Sequence, residues 1–157
     1  MGSVDYPKGN RLVGKVALVT GAARGLGASF ARAMVAQGAS VVLGVMRDEE
    51  GLAVEAEFGD AAKFGLRGLT KAVALDLSDS QVRCNSVHPG AVLTPMTDGM
   101  DVSQFHVAMK RAGHPHELAH LVVFLASDES SYCTGAEFVA DGGEMAGLAS
   151  LIVASQG

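Results

Sequence analysis

The stretch Lys15–Gly27, KVALVTGAARGLG, decides how the rest of the chain is read. KVALVT is a short β-branched run closed by a glycine, the pattern of a buried strand. Beyond Gly25, the residues Leu26, Phe30, Met34 and Val35 recur at helical spacing, and Gly38 supplies the stop. Between strand and helix lies TGAARGLG, Thr20–Gly27. There Gly21 permits a tight turn, Gly25 lets the backbone approach a phosphate, and Gly27 lets the helix pack close to the strand. The helix start then offers unbonded N–H groups and a positive dipole end to a pyrophosphate. A glycine turn that binds nothing has the same composition; the strand-to-helix placement is what favours a phosphate.

Working outward, Ser40–Val45 is a second buried strand, and Asp48 with Glu49 and Glu50 starts a further helix. A helix is expected over Ala61–Leu77 and a strand over Gln81–Val87, closed by His88-Pro89-Gly90. Pro115 introduces a helix over His116–Ala126, and Ala136–Val139 forms a last strand before Asp141-Gly142-Gly143. Strands alternating with helices define an α/β fold with a parallel sheet covered on both faces. The expected organisation is a loose polar lead-in over residues 1–11, one domain over 12–147 and a tail over 148–157.

Composition narrows the function. Of 157 residues, 48% are hydrophobic and 18% charged, which excludes a disordered chain. A net charge of −5 with no basic block argues against nucleic acid as a partner. Cys84 and Cys133 lack metal-ligand spacing and fit reduced thiols of the cytoplasm. No apolar run approaches the ~18 residues of a membrane span, and the start has no signal pattern. The expectation is a cytoplasmic protein with no membrane contact.

Four segments carry a wider likeness: TGAARGLG, KFGLRGLTKAVALDL (Lys63–Leu77), VRCNSVHPGAVLTPM (Val82–Met96) and RAGHPHELAHLVVFLASDESSYCTGAEFVADGG (Arg111–Gly143). Together they resemble the short-chain dehydrogenase/reductase superfamily over most of residues 12–147, and within it the bacterial hydroxysteroid dehydrogenases. The resemblance implies a Rossmann-like doubly wound parallel sheet and NAD(P)-dependent oxidation or reduction of hydroxy or keto groups, on steroid-type substrates. It also implies a nicotinamide dinucleotide as partner, and a homo-oligomer built through the last helix and strand. Carried over residue by residue, cofactor contacts fall on Gly21, Arg24, Gly25, Leu26, Gly27, Lys63, Pro89, Gly90, Val92 and Thr94, with Lys63 also catalytic. The likeness favours NAD. NADP is the alternative, because Val45 stands where NAD users of the family carry an acid, and Arg24 and Arg47 suit a 2′-phosphate.

The same likeness exposes a gap. In the family, three strands with their helices separate the second strand from the lysine helix, which takes roughly 60–90 residues. Here Met46–Ala62 supplies seventeen, without Ser, Thr, Tyr or Asn. The family's catalytic serine and tyrosine therefore have no counterparts, and Gly59 stands four residues before Lys63 where the tyrosine belongs. The implied fold is truncated, with a possible strand order 2-1-6-7 if the sixth strand slides in beside the first. Loss of the proton donor alone costs roughly 10²–10⁴-fold in rate. Asp60 and Glu57 titrate too low to protonate an alkoxide, Tyr132 lies in a structural loop, and Tyr6 lies in the lead-in. The alternative to an impaired oxidoreductase is a non-catalytic nucleotide-binding or oligomerising remnant.

One motif points elsewhere. HELAH, His116–His120, fits H-E-x-x-H, which on a helix sets two imidazoles on one face with Glu117 as base for zinc hydrolysis. No histidine follows to serve as third ligand, and the segment already fits the family's last helix.

Overall fold

The computed structural model describes residues 5–44 except 21 and 23, 65–99 except 96, and 106–146. Strand β1 (Val16–Thr20) leads through helix α1 (Gly25–Ala36) to β2 (Ser40–Gly44). The two strands run parallel, with Val16 opposite Ser40 and Leu18 opposite Val42. Helix α2 covers residues 65–76. It precedes β3 (Ser86–Pro89), which pairs in parallel with β4 (Glu137–Ala140) after α3 (Pro115–Ala126). The α/β class with parallel strands is thus realised, but the expected cover on both faces is not: Val19 of β1 is buried, whereas Val16, Leu18 and Val42 are exposed.

The order 2-1-6-7 is not realised. β1–β2 and β3–β4 stand as separate two-stranded sheets. The reason lies in the helices. Ala31 and Ala33 of α1 are buried with Ala119 and Val123 of α3, in one core with Leu12, Val19 and Met34. Small side chains let α1 and α3 approach closely, and that contact fixes the spacing of the two halves. Bringing β3 beside β1 would strip buried apolar area from it, which is the main favourable term available to a domain this small.

The lead-in is held rather than loose over its described part. The last carbonyls of a helix lack intrahelical donors, and the lead-in supplies them. Gly9 N–H donates to Ala36 O at 2.9 Å and Leu12 N–H to Gln37 O at 2.9 Å. Gln37 returns a side-chain bond to Pro7 O at 2.7 Å, and the Tyr6 and Ser29 hydroxyls are paired. Leu12 is 1% exposed and Arg11 forks onto Glu129, at 2.6 and 2.8 Å.

β3 also starts later than the strand expected over Gln81–Val87. Residues ahead of it bond through side chains instead of a ladder. Asn85 donates to Cys133 O at 2.8 Å and accepts from Ala136 N–H at 3.1 Å. Arg83 reaches the carbonyls of Leu125 at 2.9 Å and Ser127 at 3.2 Å, closing the C-terminal end of α3. The helix expected from Asp48 lies outside the described residues. Among the described residues no helix is long and apolar enough to cross a membrane.

Candidate functional site

Two loops meet at the C-terminal ends of β1 and β3. The first opens α1. Arg24 precedes the helix in extended conformation (φ −155°, ψ 178°), with no side-chain capping bond, and no acid stands in the first turn. The first N–H groups of the helix therefore have no intrahelical acceptor, and the first turn itself holds no carboxylate. Gly25 has φ +57°, a left-handed geometry that a side chain disfavours.

The second loop follows β3 and is braced on three sides. Gly90 N–H donates to Ala140 O at 3.2 Å, Gly113 N–H to Ala91 O at 2.9 Å, and Leu93 N–H to Gly113 O at 2.9 Å. Val92 is 5% exposed. A Cβ on Gly90 would lie 2.7 Å from Cα and Cβ of Asp141, so the loop can pass the end of β4 only as glycine. Thr97 Oγ1 accepts Thr94 N–H at 2.9 Å and donates to Val92 O at 2.5 Å, which locks the turn carrying Thr94. A Cβ built on Gly25 would stand 3.8 Å from Cβ and Cγ2 of Thr94, an ordinary contact distance. The glycine loop and the Thr94 loop thus face each other although β1 and β3 share no hydrogen bonds.

Of the residues singled out by sequence, Arg24, Gly25, Leu26 and Gly27 lie on the first loop and Pro89, Gly90, Val92 and Thr94 on the second. Gly21 and Lys63 lie outside the described residues, as do Val45, Arg47, Asp48, Glu57 and Asp60. Thr97 went unnoticed in the sequence; its signal was the Thr-x-x-Thr spacing that lets one hydroxyl close a turn. Ser86 was also passed over, and His88 was read only as the close of its strand. Their alternation on a strand puts both on one face, and His88 Nε2 lies 2.9 Å from Ser86 Oγ. They are 4% and 8% exposed. Lys71 above all, then Arg67 and His88, hold the neighbouring Glu137 carboxylate below its ordinary range.

The HELAH geometry runs against zinc. Glu117 takes a fork from Arg111 at 2.7 and 2.8 Å and the His114 N–H at 2.7 Å, which push its pKa down to about 2. A carboxylate so committed is no general base near neutral pH. Among the described residues no three His, Cys, Asp or Glu side chains are placed to hold a metal.

The strand, glycine turn, helix and later parallel strand follow an α/β plan, and the chain belongs to the short-chain dehydrogenase/reductase superfamily. A family model described as short chain dehydrogenase matches residues 15–61, and one described as enoyl-(acyl carrier protein) reductase matches 53–144. The chain is 37% identical to the 3-alpha-(or 20-beta)-hydroxysteroid dehydrogenase of Mycobacterium tuberculosis over 240 positions, covering 88% of this chain and 92% of the relative. That alignment is longer than the 157 residues of the chain, so it closes only across a long stretch that the relative has and this chain lacks. The two family matches meet at residues 53–61, where the sequence places the gap. The trans-4-hydroxycyclohexanecarboxylate dehydrogenase of Sinomonas cyclohexanicum is 51% identical over 87 residues, 55% of this chain and 34% of the relative. Among solved structures, an Agrobacterium tumefaciens protein assigned as a 2-deoxy-d-gluconate 3-dehydrogenase, with NADP bound, superposes at a TM-score of 0.75. It is 22% identical, with 87% of this chain and 98% of that chain covered. A short-chain type dehydrogenase/reductase of Mycobacterium marinum superposes at 0.71 with 21% identity, covering 87% and 97%.

Proposed function

We propose that this chain is a nicotinamide-dinucleotide-binding oxidoreductase-family protein whose turnover is impaired. The carrying observation is the 3.8 Å approach of the Gly25 position to Thr94, which keeps two binding loops together without a shared sheet. The residues fit the cofactor: an uncapped helix start with no acid in its first turn accepts a pyrophosphate. In this reading the first N–H groups of α1 bind the pyrophosphate, the braced Pro89–Thr94 loop orients the nicotinamide, and Lys63 holds its ribose. NAD is the cofactor favoured by family likeness; the exposed Arg24 beside the loop supports NADP as the alternative. The bound nucleotide would supply a hydride.

Substrates of the hydroxy or keto, steroid-type class follow from the M. tuberculosis relative's name. The chain's own deficit is the proton donor. Met46–Ala62 offers no Ser or Tyr. The Tyr6 hydroxyl is spent on Ser29, and Tyr132 is fully exposed. The free thiols of Cys84 and Cys133 support a cytoplasmic setting. The domain is assigned to residues 12–147, with the lead-in as a strap on α1.

Thermal unfolding of the purified chain with NADH and with NADPH tests this reading. A cooperative transition raised by one of them, with steroid turnover at or near background, is expected. No rise with either nucleotide would refute it. A second reading, a remnant acting by self-association, draws on Val139 of β4, which is 47% exposed. In α3, by contrast, Leu118, Ala119 and Val123 are spent inside the chain. Concentration-dependent mass without any nucleotide effect would favour that second reading.

A further inference from the structure

The lead-in does not lie flush on the two helices it crosses. A cavity of about 240 Å³ stays open between it, α1 and α3. Its cause is local. The strap is pinned around the gap by the Tyr6 hydroxyl on Ser29, by Gln37 Nε2 on Pro7 O at 2.7 Å, and by Arg11 on Glu129. Beneath these pins the two helices present Ala33 and Val123, short side chains that leave the space unfilled.

The polar groups around the cavity differ in what they have left to offer. The Tyr6 hydroxyl and the Pro7 carbonyl are already paired, and Gln37 Oε1 is buried against Gly9. Arg11 uses Nε and Nη2 on Glu129, at 2.6 and 2.8 Å. Its Nη1 keeps two N–H groups, which have no acceptor among the described residues. His120, exposed on α3 with its ring edge-on to His116, keeps a ring N–H. Donors over an apolar floor are what remain. Ligand sites combine apolar walls with a few convergent polar groups, and those for drug-sized molecules begin at roughly 300 Å³. This smaller cavity suits one ring with a head group, and the head that accepts from two donors at once is a carboxylate.

We propose that the cavity under the lead-in binds a small single-ring monocarboxylate, its ring against Ala33 and Val123 and its carboxylate on Arg11 Nη1 and His120. Glu129 limits the affinity, because its charge offsets that of Arg11. A ligand this small then binds with a Kd of about 1–10 mM. None of the lining residues belongs to the Gly25 or Thr94 loop, so the site and the nucleotide reading stand or fall separately.

The test is titration of the full chain with benzoate at about pH 8, above the ordinary imidazole range, read on the imidazole proton signals. The His120 signal is the one lost in His120→Gln. Saturation is expected, with that signal moving more than those of His114 and His116. Acetate has the head without the ring, and benzylamine has the ring with a cation; neither should saturate over the same range. Glu129→Gln, at a side chain 51% exposed, leaves the Arg11 charge uncompensated. It should tighten benzoate by about two- to fivefold, a gain that loss of structure does not produce. The inference is overturned by no saturable shift with benzoate, by an equal response to acetate or benzylamine, or by a Glu129→Gln variant that binds no tighter.

Discussion

Replacing Gly25 by alanine separates the two roles assigned to that residue. Its φ of +57° costs an L-residue about 1–2 kcal/mol in backbone strain. In a domain of this size each kcal/mol moves Tm by roughly 2–4 °C, so the variant should melt roughly 2–8 °C lower. The new methyl meets only Thr94, at 3.8 Å, and adds no clash of its own. In the proposed reading it also fills space that a pyrophosphate would need to reach the helix start. A nucleotide at ten times its Kd stabilises the native state by about 1.4 kcal/mol, or roughly 3–6 °C, in the parent chain. In Gly25→Ala that increment should vanish. The control is Gly14→Ala, where φ is +79° and no atom lies within 4 Å of the added Cβ. It carries comparable strain ahead of β1, away from the loop, and should keep the nucleotide increment. Calorimetry on the three proteins, with and without NADH and NADPH, reads all of this. If Gly25→Ala melts lower yet keeps its nucleotide shift, the helix start does not hold the dinucleotide.

Three further outcomes are expected. Thr97→Val removes the acceptor for Thr94 N–H and the donor to Val92 O, and should cost about 1–2 kcal/mol in urea unfolding while weakening the nucleotide shift. Arg83→Ala strips charged donors from the carbonyls of Leu125 and Ser127, and should cost about 2–3 kcal/mol by the same assay. Glu117, held at about 2 against an ordinary 4.5, contributes stability that is present above pH 4.5 and lost as the pH falls through 2. Its side chain is 37% exposed, so solvent screening keeps the effect below about 1 kcal/mol; Glu117→Gln should flatten that part of an acid-unfolding curve.

What the sequence made legible was local. KVALVT and SVVLGV were legible as strands from their β-branched runs bounded by glycine, and β1 and β2 lie within them, but their burial was not, since Val16, Leu18 and Val42 are exposed. The turn into α1 was readable for the same reason: glycine placement is a backbone requirement that neighbours in sequence impose. The strand expected at Gln81 was not, because Arg83 and Asn85 bond to residues about fifty positions away, and no local pattern reports such partners. The lead-in was misjudged on its polarity. Its anchoring comes from backbone groups of α1 that exist only once the helix has ended. The strand order failed for a related cause: it depends on whether the α1–α3 contact outweighs closing a gap, a comparison of tertiary energies that strand propensity does not contain.

The proposed separation of binding from catalysis rests on how each loop is anchored. The helix start at Gly25 depends on β1 and α1, which are continuous in sequence. The Thr94 turn depends on Thr97, on Gly113 ahead of α3 and on Ala140 of β4, all beyond the gap in the chain. None of these supports passes through the missing stretch. By the family resemblance, the catalytic serine and tyrosine belong inside that stretch, and Met46–Ala62 holds neither residue type. In the proposed reading, a deletion at this position would remove the chemistry as a unit and leave the Gly25 and Thr94 loops each with its own scaffold, joined through the α1–α3 core. The order of loss is set by which contacts are local to each half, not by which residues matter most to the reaction.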